Sequence, residues 1–245
     1  MGLFPEFQDK ANDFPPAPLA DRMRPRELKD LIGQTNLIGK GKPLCKLITG
    51  KSNFSFILWG PPGSGKTTIA RLVACISENE FHEISAVNAG VSEIRKVIHQ
   101  AKKLWSLSRR GSILFIDEIH RLNKSQQDSV LPHVENGTIR LIGSTTENPS
   151  FEVIPSLQSR CQIFRLESLS EKDMESLLDR GLIDKECGLG NDSFEIDSDA
   201  RNLIISYANG DARKALNILE AARDFSCSVE NESRLVSIQD IEGII

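Results

Sequence analysis

Gly60-Pro61-Pro62-Gly63-Ser64-Gly65-Lys66-Thr67 follows the apolar run from Phe54 to Trp59 and precedes a helical pattern from Thr67 to Ser77. Its spacing is G-x-x-x-x-G-K-[ST], and a strand before it with a helix after it is the setting that spacing requires. Glycines permit the backbone angles by which a loop turns successive N–H groups inward, and they allow an anion to come close. The helix that follows adds its positive N-terminal end. Residues 60 to 67 therefore read as a phosphate cradle. Gly60, Pro61, Pro62, Gly63, Ser64 and Gly65 form the loop, and Lys66 reaches the β- and γ-phosphates. The Thr67 hydroxyl is placed for Mg²⁺, and Thr68 completes the expected nucleotide-binding set.

Further along, the apolar run from Ser112 to Ile116 delivers Asp117-Glu118 at its tip. A hydrophobic strand ending in an acid is the Walker B layout. Asp117 is expected to hold Mg²⁺ mostly through water, and Glu118 to orient and polarise the attacking water. Both carboxylates emerge at the C-terminal edge of the strand, where parallel α/β sheets bind ligands. A P-loop kinase need not carry a water-activating glutamate at that place, so the pair favours hydrolysis of ATP over transfer of its phosphate.

Outward from these motifs, short β-rich runs alternate with helical patterns. The runs are Phe54 to Trp59, Phe81 to Ser85, Ser112 to Ile116, Ile139 to Gly143 and Gln162 to Leu166. Helices are expected over Thr67 to Ser77, Val91 to Trp105 and Lys124 to Glu135, with Pro132 kinking or shortening the third. This alternation predicts an α/β fold: a parallel P-loop sheet sandwiched by helices over residues 18 to 166. After Leu166 no strand pattern remains. Ser170 caps a helix to Arg180, a loop covers Gly188 to Ser193, and helices follow over Asp199 to Tyr207, Asp211 to Phe225 and from Ile238. Residues 167 to 245 are thus expected to form a small all-helical lid, and the polar, proline-bearing residues 1 to 17 a loose arm.

Composition excludes several classes. Hydrophobic residues make up 39% of 245 and charged residues 26%, a mixture that can bury a core. No apolar run approaches a bilayer span and no signal peptide is evident, which points to a cytoplasmic chain, or a nuclear one in a eukaryote. Cys45, Cys75, Cys161, Cys187 and Cys227 are scattered and form no C-x-x-C pair, which argues against a disulfide framework or a zinc site. The net charge of −4 gives no global attraction to nucleic acid. Lys40, Lys42, Lys46, Lys51, Lys102, Lys103, Arg109 and Arg110 are candidate DNA contacts or solvated faces.

Three more stretches carry polar groups at informative places. Leu141-Ile-Gly-Ser-Thr145-Thr146-Glu-Asn148-Pro ends an apolar strand in hydroxyls that could sense a γ-phosphate, although a strand-to-loop turn favours the same residues. Arg160, in Ser159-Arg160-Cys161, is either a surface residue or a guanidinium aimed at a neighbouring subunit's phosphate. Gly210-Asp211-Ala-Arg213 opens a helix that Asp211 can cap. An arginine in a first helical turn opposes the helix dipole, a small cost that a bound phosphate would offset.

Taken in order, these pieces resemble the clamp-loader clade of AAA+ ATPases, and more closely the replication-associated recombination protein A family, whose eukaryotic relative is the Werner-helicase-interacting ATPase. The resemblance covers residues 18 to 245. It is carried by Pro18–Pro25, Ile32–Gln34, Ile57–Gly63, Ile84–Val87, Asp117–Asp128, Ile142–Phe151 and Tyr207–Arg213. It implies that Thr145 is similar to the sensor-1 residue, with Thr146 beside it. Arg160 resembles the trans arginine finger and Arg213 the sensor-2 arginine, and Ile32 and Gly33 would line the adenine pocket. It further implies a DNA-stimulated ATPase active in replication-fork maintenance, recombination and repair, with homo-oligomers, forked or single-stranded DNA and single-strand-binding protein as partners. Family members continue into a C-terminal oligomerisation region, whereas this chain ends at Ile245. A fragment or truncated product would then self-associate weakly, and a nucleotide-gated adaptor with slow turnover is the alternative reading. The eukaryotic form's N-terminal zinc finger is also absent from the sequence.

Overall fold

A computed structural model describes residues 17–39, 41–48, 54–87, 90–192, 195–227 and 235–245. The expected arm therefore falls almost wholly outside the described residues, as do Lys40 and Lys51. Five strands form one parallel sheet: β1 Ser55–Trp59, β2 Glu80–Ser85, β3 Ser112–Asp117, β4 Arg140–Thr145 and β5 Cys161–Arg165. They lie in the order β2-β3-β4-β1-β5. β1 sits between β4 and β5, with Ile57 opposite both Gly143 and Ile163.

Alternation along each strand sorts the apolar side chains onto two faces. Phe56, Leu58, Ile113, Phe115 and Ile142 meet Ile69, Leu72 and Val73 of α2 (Lys66–Ser77) and the short helix Pro43–Ile48. On the other face Ile57, Leu114, Ile116 and Leu141 meet Ile94, Val97, Ile98 and Ala101 of α3 (Val91–Ser108) and Val130 of α4 (Lys124–Glu135). Both faces are covered, so the inner strands are buried nearly throughout. α3 runs a turn beyond its expected end. α4 is not shortened by Pro132: it reaches Glu135, and Asn123 and Gln126 close its start as a capping box. Pro132 lies in the last turn and forgoes the one bond its N–H would make to the Asp128 carbonyl, without ending the helix.

A second core, over the residues expected to form the lid, begins where the chain leaves the sheet. Ser170 and Asp173 form a capping box at α5 (Glu171–Ile183). Asp197 caps α6 (Ser198–Ala208), whose last turn leads through Asn209 and Gly210 into α7 (Ala212–Cys227). Met174, Leu178, Ile204, Leu219 and Ile241 make its core. Two features depart from the sequence reading. Glu195–Ile196 and Leu235–Val236 form a two-residue parallel pair, so the lid is not helical throughout. The segment α1 (Leu19–Arg22) with Met23, expected with the sheet, packs into the lid core instead, and the Leu19 N–H donates to the Glu220 carboxylate at 3.0 Å. Among the described residues no helix is long and apolar enough to cross a membrane.

Candidate nucleotide site

The loop after β1 is anchored at its first residue. The Gly60 N–H donates to Thr145 O at 3.1 Å, and a Cβ at Gly60 would stand 2.6 Å from Leu166 O. Gly63 and Gly65 have φ of +67° and +94°, which a residue with a side chain rarely adopts. Inside the curl, Lys66 Nζ donates to the carbonyls of Gly60 at 2.8 Å and Pro61 at 2.9 Å. Burial pushes the Lys66 ammonium below the usual lysine range; Glu118 and Asp117 pull the other way, and Arg213 adds to the lowering. A buried cation on a glycine-rich loop, with two carboxylates beside it, fits a polyphosphate and a divalent cation.

Asp117 and Glu118 stand at the tip of β3. Ser144 Oγ donates to Asp117 Oδ1, and the Glu118 N–H donates to the same hydroxyl at 3.3 Å. Glu118 has φ +56°. Its Oε2 accepts from Thr146 Oγ1 at 3.4 Å and lies 3.1 Å from His120 Nδ1. One cavity is lined by Gly63, Gly65, Lys66, Thr67, Thr68, Asp117, Glu118, Thr146 and, from the lid, Asp211 and Arg213. Sheet, loop and lid thus converge on one space.

Other expected site residues fall elsewhere. Thr145 is fully buried and does not line that cavity; its hydroxyl donates to Glu147 O at 3.2 Å. Thr146, one residue on, is the hydroxyl that faces the space. Ile32 lines a smaller, mostly apolar cavity beside the loop with Met23, Pro25, Leu169 and Leu177, whereas Gly33 packs under Leu169 Cδ2. Arg160 lies at the opposite end of β5, where Nη2 pairs with Glu135 at 2.5 Å and Nη1 donates to Ser156 O at 2.7 Å. Of the basic candidates, Lys42, Lys102 and Lys103 are exposed, Arg109 stacks over Trp105, and Arg110 pairs with Glu80 at 3.1 Å.

Two residues escaped the sequence reading of the site. Arg24 lines the main cavity and donates to Thr68 Oγ1 at 3.4 Å. Gln34, buried, donates to Ser64 O at 3.3 Å. Both lie in irregular stretches where no periodicity reports a partner tens of residues away.

Comparison with known proteins agrees with this geometry. Residues 56–168 match the model of the "ATPase family associated with various cellular activities (AAA)". Replication-associated recombination protein A of Coxiella burnetii is 48% identical over 92% of this chain and 50% of its own length. ATPase WRNIP1 of Dictyostelium discoideum is 46% identical over 84% of this chain and 23% of its length. The Thermotoga maritima RuvB Holliday junction branch migration motor superposes with a TM-score of 0.70 at 26% identity, over 91% of this chain and 72% of that one. The chain spans about half the length of the replication-associated recombination proteins it matches. With its five-stranded parallel sheet, its phosphate loop and this degree of identity, the chain carries an AAA domain over residues 56–168 and is similar to the replication-associated recombination protein A relatives.

Proposed function

We propose that this chain is the nucleotide-hydrolysing part of a DNA-acting ATPase, with residues 18 to 166 as its core and 167 to 245 as its lid. The observation that carries the reading is the single cavity shared by Lys66, Thr67, Asp117, Glu118 and Arg213. The loop N–H groups and Lys66 bind the phosphates of ATP. Thr67 and Asp117 would hold Mg²⁺, which when bound supplies charge neutralisation at the phosphates. Asp117 Oδ1 is engaged by Ser144, which leaves Oδ2 for a metal-bound water. Glu118 orients the attacking water. Thr146, reaching both Glu118 and the cavity, fits a phosphate-sensing hydroxyl better than Thr145 does. Arg213 brings the lid onto the phosphates, so nucleotide state can move the lid. Ile32 supplies apolar contact for the base, and Arg160 completes the site of a neighbouring copy.

The names of the relatives support work in replication-associated recombination. On this reading the chain acts at replication forks and in repair, on forked or single-stranded DNA together with single-strand-binding protein, in the cytoplasm or, in a eukaryote, the nucleus. The test is steady-state ATPase with and without forked DNA across protein concentration. Turnover that rises with both supports an assembled, DNA-coupled enzyme. Tight ATP binding with flat, weak turnover points instead to a nucleotide-gated adaptor. Glu118→Gln is expected to keep ATP binding and lose turnover by more than about 10²-fold, the scale of a lost base; undiminished hydrolysis removes Glu118 from that role.

A further inference from the structure

Behind Glu118, on the side away from the cavity, one nitrogen of His120 stands between two acceptors. Nδ1 is 3.1 Å from Glu118 Oε2 and 3.0 Å from Thr145 Oγ1. A carboxylate only accepts. The Thr145 hydroxyl has one proton, which it donates to Glu147 O at 3.2 Å, while the Glu147 N–H donates back to the same oxygen at 3.0 Å. Toward His120, Thr145 is therefore an acceptor as well. Nδ1 must carry the hydrogen, bonded to the Thr145 oxygen with the Glu118 carboxylate beside it. Its imidazole is nearly buried, with a side-chain exposure of 10%.

The consequence falls on Glu118. Its Oε2 accepts a hydrogen bond from Thr146 and lies 3.1 Å from His120 Nδ1, and Oε1 has no hydrogen-bond partner among the described residues. The backbone there is at φ +56°, a conformation uncommon for any residue with a Cβ. A carboxylate anchored by one oxygen presents the other in a fixed direction. We propose that His120 is a positioning residue: it holds Glu118 Oε2 so that Oε1 meets the attacking water, and Thr145 contributes to turnover through His120 rather than by touching phosphate. This rests on the ATPase reading above.

Four measurements test it. His120→Ala is expected to lower kcat by about 10- to 100-fold, the range for partners that orient a functional group, with KM for ATP and affinity for ADP unchanged. His120→Asn, whose amide N–H can replace Nδ1–H, restores kcat to within a few-fold of the unmodified chain. Thr145→Val costs less in the His120→Ala background than alone, because the two act in series. The imidazole ¹⁵N spectrum of the unmodified chain is expected to show the hydrogen on Nδ1. A ring protonated at Nε2, or full kcat in His120→Ala, overturns the assignment. Failure of the ATPase reading is distinct: the unmodified chain would show no turnover, and the ¹⁵N spectrum would still decide whether His120 holds Glu118.

Discussion

Gln34 and Glu167 are joined in both directions. Gln34 Nε2 donates to Glu167 O at 2.7 Å, and the Glu167 N–H donates to Gln34 Oε1 at 3.2 Å. The same Nε2 reaches Ser64 O at 3.3 Å, so one amide links the phosphate loop to the first residue of the lid. Gln34→Ala leaves these backbone groups without their partner, Ser64 O in a buried place and those of Glu167 in a partly buried one. The expected loss of stability is about 1–3 kcal/mol, the cost of unsatisfied buried groups. Urea unfolding reads the first effect and nucleotide titration the second, a weaker affinity. If neither midpoint nor affinity moves, the amide does not couple loop to lid.

Gly63 and Gly65 separate two kinds of glycine requirement. A Cβ at Gly63 would lie 2.0 Å from Asp211 Oδ1 and 2.7 Å from Asp211 Cα, whereas a Cβ at Gly65 would meet nothing within 4 Å. Gly65→Ala therefore carries only the left-handed backbone penalty, about 1–2 kcal/mol. Gly63→Ala adds a clash worth about 1–3 kcal/mol more and pushes α7 off the loop. Nucleotide affinity is expected to fall further in Gly63→Ala. Asp211→Ala restores it only in part, because the clash with the backbone of residue 211 stays. Equal effects of the two glycine substitutions would contradict the closeness of loop and lid.

Much of this arrangement was legible in the residues. The five strands and the helices α2 to α7 follow from apolar runs, from period and from caps such as Ser170, and the phosphate loop is read from spacing alone. What was not legible depends on contacts distant in sequence or on a single step of register. Successive residues at a strand tip point to opposite sides, so whether Thr145 or Thr146 faces the cavity is settled only by packing. The two-residue strands of the lid are too short for any periodic pattern. Leu19 sits beside the sheet domain in sequence, yet its N–H and side chain find their partners on α7.

Arg140 is a buried charge that nothing on the sheet neutralises. Its Nε donates to Phe54 O at 2.9 Å and the guanidinium lies over the Phe56 ring, but neither Nη has a partner among the described residues. Burial pushes it down to about 10, from an ordinary value above about 12. A base whose folded pKa is depressed holds fewer protons folded than unfolded between the two values, so stability rises with pH there and the penalty is fully present at neutral pH. Arg140→Met is expected to be as stable as the unmodified chain or more so at pH 7, by up to a few kcal/mol. That advantage shrinks as pH rises through about 10. Thermal unfolding at neutral and alkaline pH checks both. A large loss of stability at pH 7 would mean that the guanidinium has a partner it needs.

Arg160 and Arg213 are expected to separate in one experiment, because only Arg213 lines the cavity of its own chain. Arg160 is paired with Glu135, and both side chains are about 40% exposed. Such a pair is worth no more than about 1 kcal/mol, so exchanging Glu135 for a neighbour's phosphate meets little resistance. Arg213→Ala should weaken nucleotide affinity at every protein concentration. Arg160→Ala should leave affinity unchanged and lower turnover by about 10³-fold or more where copies associate, as loss of an arginine finger does. The decisive form mixes two inactive chains. In an assembly of Arg160→Ala with Glu118→Gln, a site with intact Glu118 can receive Arg160 from its neighbour, so part of the turnover returns. A mixture as inactive as its components, under conditions where the unmodified chain assembles and hydrolyses ATP, would assign Arg160 to the surface and to Glu135 alone.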